Sequence, residues 1–155
     1  MEMNQETLEM MRQMRLLGMY NAFKTSMESF KSETMTTDQF VGWLISNEWD
    51  DRCNRIIERL IRQASFRYKA SLEEVNYTLD RGLDRNLLER LAELSFIKES
   101  KDLFITGSSG TGKSYIATAL GYRACQKGLK VLYVNTARLM GQLKMTKAKG
   151  NILQE

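Results

Sequence analysis

Gly107-Ser108-Ser109-Gly110-Thr111-Gly112-Lys113-Ser114 is the stretch on which the reading of the fold turns. It fits G-x-x-x-x-G-K-[ST], a phosphate-binding loop that joins a strand to a helix. Three glycines in six positions let the backbone close tightly enough for successive N–H groups to point at phosphate oxygens. In that geometry Lys113 reaches the β- and γ-phosphates of ATP, and the Ser114 hydroxyl ligates Mg2+. Tyr115 follows directly and completes the candidate cofactor-binding set.

The flanks agree with the motif. Residues 103–106, Leu-Phe-Ile-Thr, read as a short buried strand, and residues 115–125 as a helix whose positive dipole end faces the loop. Gly128 is the expected helix stop. Residues 130–135 read as a second strand, so strand, loop, helix and strand make one βαβ unit with a right-handed crossover. Thr136 is expected to cap a further helix, residues 137–145, which runs into the basic tail Lys144-Met145-Thr146-Lys147-Ala148-Lys149-Gly150.

Upstream the periodicity is helical. Leu8, Met11, Arg15 by its stem, Leu16, Met19, Ala22, Phe23, Met27 and Phe30 recur at three- and four-residue steps and predict a helix over 5–30. Gly18 interrupts it and marks a kink or a close helix contact. After the polar link Ser32-Glu33-Thr34-Met35, Thr36 and Gln39 form a capping-box pattern that opens a second helix, residues 37–64. On that helix Arg52, Arg55, Arg59 and Arg62 fall within roughly an 80° arc, opposite Cys53, Ile56, Ile57, Leu60, Ile61 and Ala64. Such a stripe is a candidate track for a DNA phosphate backbone; a solvated face is the plainer alternative. Residues 66–79 read as an irregular connection with one turn at Ser71-Leu72-Glu73-Glu74, a second capping-box pattern. Asp84 caps a helix over 85–94 with Leu87, Leu88, Leu91 and Leu94 as its buried side.

Composition bounds the possibilities. The chain has 155 residues, 43% hydrophobic and 27% charged, in the range of a soluble globular protein. No apolar run approaches the roughly 18 residues that cross a bilayer, and the N-terminus has no signal-peptide pattern, so a cytoplasmic location and no membrane partner are expected. Two cysteines, Cys53 and Cys125, make no disulfide framework, and the absence of histidine excludes a His-based triad. Residues 1–100 hold 14 basic and 17 acidic residues, whereas residues 101–155 hold 9 and 2. The basic second part suits polyphosphate or nucleic acid.

Several segments together resemble one family. They are Met14-Arg15-Leu16-Leu17-Gly18-Met19, Trp49-Asp50-Asp51-Arg52-Cys53-Asn54-Arg55, Arg81-Gly82-Leu83-Asp84-Arg85, and the loop with Thr106 before it. This set resembles the IstB-like ATP-binding proteins, helper ATPases encoded beside a transposase in bacterial insertion sequences and similar to DnaC-type helicase loaders within the AAA+ ATPases. The resemblance implies an α/β fold: an N-terminal α-helical domain, residues 1–80, then the first βαβ part of a P-loop AAA+ nucleotide-binding domain, residues 81–155. It implies ATP and Mg2+ as cofactors, and a transposase and double-stranded DNA without strong sequence preference as partners. It also implies a homo-oligomer when full length. A helicase loader and a non-catalytic DNA- or protein-binding remnant are the alternatives. Family members continue into a Walker B strand and an arginine finger, whereas after Asp102 the only acidic residue is Glu155. No catalytic residue is therefore assigned, and the chain is expected to be a truncated form that binds ATP without turnover. In the AAA+ strand order 5-1-4-3-2, its two strands would not be neighbours.

Overall fold

A computed structural model of the chain describes residues 2–29, 35–77 and 82–148. Phe30, the link 32–34, Leu79, Arg81, Lys149, Gly150 and Glu155, all used in the reading above, lie outside the described residues. The described helices are α1 (Glu2–Gln13), α2 (Leu17–Ser29), α3 (Thr37–Ala64), α4 (Arg85–Ala92), α5 (Ser95–Lys98), α6 (Lys113–Gln126) and α7 (Thr136–Ala148). They group into two compact units, Met1–Glu58 and Arg59–Glu155.

In the first unit, the single helix expected over 5–30 is two helices. Arg15 adopts a left-handed conformation with φ of 59°. Leu16 N–H then donates to the Met11 carbonyl at 2.8 Å and Arg15 N–H to the Arg12 carbonyl at 3.0 Å, a Schellman ending to α1. A side chain at a position glycine usually holds hides the stop from a periodicity count. Restarting the helix at Leu17 exposes the N–H groups of Gly18 and Met19 at a fresh N-terminus. Both donate to Oε2 of Glu48 on α3, at 2.9 and 3.2 Å. Gly18 is the expected close contact: a Cβ there would stand 2.4 Å from the Asn47 carbonyl oxygen and 2.6 Å from Glu48 Cα. Further along, Phe23 of α2 meets Phe40 of α3 with ring centroids 6.3 Å apart. The capping box opening α3 is formed, Thr36 N–H donating to Gln39 Oε1 at 3.1 Å and Gln39 N–H to Thr36 Oγ1 at 3.4 Å.

The second unit is built on α6. Leu60 and Ala64, on the last turns of α3, bury against Cys125, with Phe66 and Val131 alongside. Leu120 and Ala124 face Leu94, with Leu72, Leu91 and Ile116 closing that cluster. Cys125 is thus a small core residue, and burial pushes its thiol pKa up. Gly121 lets Phe66 lie on the helix, where it stacks on Tyr122 at 4.4 Å; a Cβ at 121 would come within 2.8 Å of the Phe66 ring. Gly128, φ 80°, ends α6 as expected, Leu129 N–H reaching back to the Ala124 carbonyl at 2.9 Å. Asp84 caps α4 through Asn86 N–H at 2.8 Å. The helix expected over 85–94 breaks after Ala92, with Leu94 left-handed at φ 61°. Leu88 and Leu94 are buried, but Leu87 is exposed, contrary to its place on the expected apolar side.

The βαβ part of the expected fold is not formed: among the described residues there is no strand. Segments 103–106 and 130–135 precede and follow α6 along the chain without pairing into a ladder. A strand is defined by hydrogen bonds to a neighbour, and an apolar run alone supplies none. Tyr133 N–H donates to the Ala64 carbonyl at the end of α3, at 2.9 Å, rather than to another strand. The alternating pattern nevertheless places Val131 and Tyr133 against the core and turns Leu132 and Val134 outward, with Phe104 86% exposed.

Candidate functional site

The glycine loop sits at the N-terminus of α6, where the first helical N–H groups have no intrahelical acceptor. Gly107, Gly110 and Gly112 have φ of 145°, 79° and 87°, conformations that side-chain-bearing residues rarely adopt. Gly112 is the N-cap of α6, so Lys113 and Ser114 occupy its first two positions. Thr111 Oγ1 donates to the Ser108 carbonyl at 2.9 Å, and Lys113 Nζ folds back onto the same oxygen at 2.5 Å. The loop is therefore a closed turn with its ammonium held over it. Ser108, Ser109, Gly110 and Ser114 are exposed, and Thr111, Gly112, Lys113 and Tyr115 are half-buried.

Positive-φ glycines, helix N–H groups and one lysine are thus brought together in one turn, the groups that a nucleotide phosphate chain requires. For Mg2+ the donor set offered by the chain is the Ser114 hydroxyl. Among the described residues no cluster of three His, Cys, Asp or Glu side chains stands ready to hold a metal. Such a set fits an ion carried in on phosphates and water, which is how Mg2+ usually binds. Inside α6, Thr118 is fully buried and donates to the Ser114 carbonyl at 2.7 Å, bracing the backbone that carries the serine.

Tyr115 extends the site in a direction the sequence does not show. Its hydroxyl donates to Glu74 Oε2 at 3.0 Å and accepts from Ser71 N–H at 3.3 Å. Its ring stacks on Tyr68 with centroids 6.3 Å apart. The capping box expected at Ser71 and Glu74 is therefore not formed, because Tyr115 takes both partners. Ser71 instead bonds Glu73, which holds the Glu73 carboxyl below the usual carboxylate range. Tyr115, the residue after Ser114, thus anchors segment 68–74 to α6, a link without any local sequence signal.

The four arginines of α3 differ in surroundings. Arg52 Nε donates to Glu48 Oε1 at 2.7 Å, and Arg55 pairs with Asp51 at 2.8 Å and Glu48 at 3.8 Å. Arg59 and Arg62 are exposed near the helix end. Glu48 was no part of the expected site, yet it is the buried carboxylate that holds Arg52 and the start of α2 together. Burial alone would raise its pKa. The Arg52 hydrogen bond, the Met19 and Gly18 N–H groups and the Arg52 charge outweigh that and hold it below the ordinary carboxylate range.

Comparison with known proteins adds a family to this geometry. Residues 9–155 match the family model described as IstB-like ATP binding protein. A Pseudomonas fluorescens protein, named for ATP binding in insertion sequence IS1162, is 35% identical over 150 residues, covering 96% of this chain and 65% of the relative. The protein y4pL of Sinorhizobium fredii, likewise named for ATP binding in an insertion sequence, is 36% identical over 144 residues, 93% of this chain and 59% of its own. One named for insertion sequence IS21 in Pseudomonas aeruginosa is 29% identical over 126 residues, 81% of this chain and 48% of its own. The chain thus spans under two thirds of the length of each of these relatives.

Proposed function

The chain belongs to the IstB-like ATP-binding protein family, and from that premise we propose that it is an ATP-binding helper of DNA transposition. Its helical domain would be residues 1–80 and its nucleotide-binding domain residues 81–155. Gly107 to Ser114 hold the phosphate chain, Lys113 faces the terminal phosphates, and Ser114 supplies one oxygen to Mg2+. The observation that carries the reading is the glycine cradle opening α6 with Lys113 folded over it. The partners are a transposase, double-stranded DNA and further copies of the chain, with Arg52, Arg55, Arg59 and Arg62 as DNA-contact candidates. ATP is bound without turnover, since residues 103–148 contain no acidic side chain to orient water or hold the metal.

The test is fluorescent ATP- and ADP-analogue binding by the 155-residue chain and its Lys113→Ala variant, with phosphate release followed alongside. Lys113→Ala is expected to weaken the ATP analogue more than the ADP analogue, because the lysine reaches a phosphate that ADP lacks. Equal binding by both chains removes the assignment, and steady release above the variant's background removes the claim of no turnover.

A further inference from the structure

Away from the glycine loop, segment 130–135 leaves one backbone edge open. Tyr133 N–H donates to the Ala64 carbonyl at 2.9 Å. Along an extended chain the N–H and C=O groups of alternate residues turn to opposite edges, so those of Leu132 and Val134 face away from Ala64. Among the described residues, no backbone hydrogen bond engages Leu132 or Val134. Their side chains stand outside the core as well, Leu132 68% and Val134 43% exposed. Open N–H and C=O groups beside apolar side chains are a template for pairing with a further extended chain.

The surroundings say what kind of chain. Leu132 and Val134 line an open cleft of about 610 Å³ together with Arg67, Arg138 and Leu139, and no acidic residue lines it. Both arginines are exposed. Guanidinium groups with no carboxylate in their cleft call for carboxylates from a partner. A nucleic acid would satisfy the arginines but leave Leu132, Val134 and the open backbone edge unused, and a wholly apolar segment would do the reverse. We infer that this edge takes an extended, acid-flanked apolar segment of another protein. Its backbone pairs along Leu132 and Val134, and its carboxylates meet Arg67 and Arg138. The nucleotide and the DNA of the reading above have no part in it.

The experiment measures anisotropy of a short labelled peptide with the 155-residue chain. In the peptide, valines alternate with threonines and glutamates stand at both ends. It is compared with a version carrying lysines for the glutamates, and with versions methylated at every second backbone nitrogen, in either frame. The glutamate peptide is expected to bind and the lysine peptide not to. Methylation should weaken binding about 10-fold in the frame that faces the edge, from lost backbone hydrogen bonds, and far less in the other. In the protein, Arg67→Gln with Arg138→Gln should weaken binding about 5-fold, and Arg67→Lys with Arg138→Lys should recover most of it. The thermal midpoint of both variants should be that of the parent, and the methylated peptides test the pairing on the unaltered chain.

No binding of the glutamate peptide by the parent chain, or equal binding of the lysine peptide, overturns the inference. So does methylation that acts alike in both frames, since the contact is then not a paired edge. Unchanged affinity in the glutamine variant removes the arginines, and with them the choice of an acidic partner. Displacement of the peptide by duplex DNA at lower charge concentration than by unlabelled peptide overturns it in favour of a nucleic acid. A dimer in sedimentation that the peptide cannot dissociate overturns it in favour of a second copy at the same edge.

Discussion

Gly18 lies directly against the backbone of Glu48, and the same glutamate accepts the Gly18 N–H at 2.9 Å. The contact requires a residue without Cβ on one helix and a carboxylate long enough to reach its neighbour's first turn on the other. Glu48 acts as a cap supplied from a different helix, satisfying two donors that α2 leaves open.

Gly18→Ala therefore sets two effects against each other. Alanine favours an exposed helix interior by about 1 kcal/mol, but here its methyl meets main-chain atoms that have no rotamer to escape into. The steric term wins, and the variant is expected to lose about 1–3 kcal/mol of stability in urea unfolding. A midpoint equal to or above the parent's would show that α2 and α3 do not approach as described.

Acid should act on the same contact. The folded-state pKa of Glu48 is depressed, so its contribution is complete above the unfolded-state value and is lost as pH falls through the lower, folded one. Stability of the parent is expected to decline as pH drops below about 4.3, the ordinary glutamate value, and a Glu48→Gln variant should lose less over that window. Parallel pH profiles for the two chains would contradict the assignment.

On α3, the arginines should separate into two classes. Arg52→Gln removes a partner of buried Glu48, a charged hydrogen bond of the kind worth about 1.5–3 kcal/mol, and should lower the unfolding midpoint. Arg59→Gln with Arg62→Gln should leave the midpoint within about 0.5 kcal/mol while weakening duplex binding and flattening its salt dependence. If all four arginines shift stability equally, the stripe is a structural face.

The helices were readable where composition and geometry agree. The helix over 37–64, the Thr36–Gln39 box, Asp84 as a cap and Gly128 as a stop are all local signals, and each is formed; on the expected apolar side of that helix Leu60 and Ala64 are buried, whereas Ile56 is exposed. What the sequence concealed depends on partners far along the chain or on unusual residues in strained places. Arg15 and Leu94 end helices in conformations that nothing in their chemistry announces. Asn135, not Thr136, caps α7, its side chain accepting the Arg138 N–H at 3.3 Å. Two apolar segments read as strands because apolar alternation is necessary for a strand, but without paired neighbours it is not sufficient. The glycine turn that opens α6 was legible because its positive-φ positions are a local necessity. Its anchor through Tyr115 was not, because Ser71 and Glu74 lie over forty residues away.

Lys113 rests on the Ser108 carbonyl, so its ammonium already has an oxygen partner within the loop. On the reading proposed above, uptake of a nucleotide would be an exchange: the ammonium would leave a main-chain oxygen for a phosphate oxygen, and the measured affinity would be the difference between the two attachments. Removing the lysine would change both ends of that exchange, since among the hydrogen bonds described Ser108 O would keep that from Thr111 Oγ1. Part of any loss in Lys113→Ala would thus arise in the chain before ligand is added, and a rigid, pre-closed loop would bind more tightly without a single new contact to the ligand.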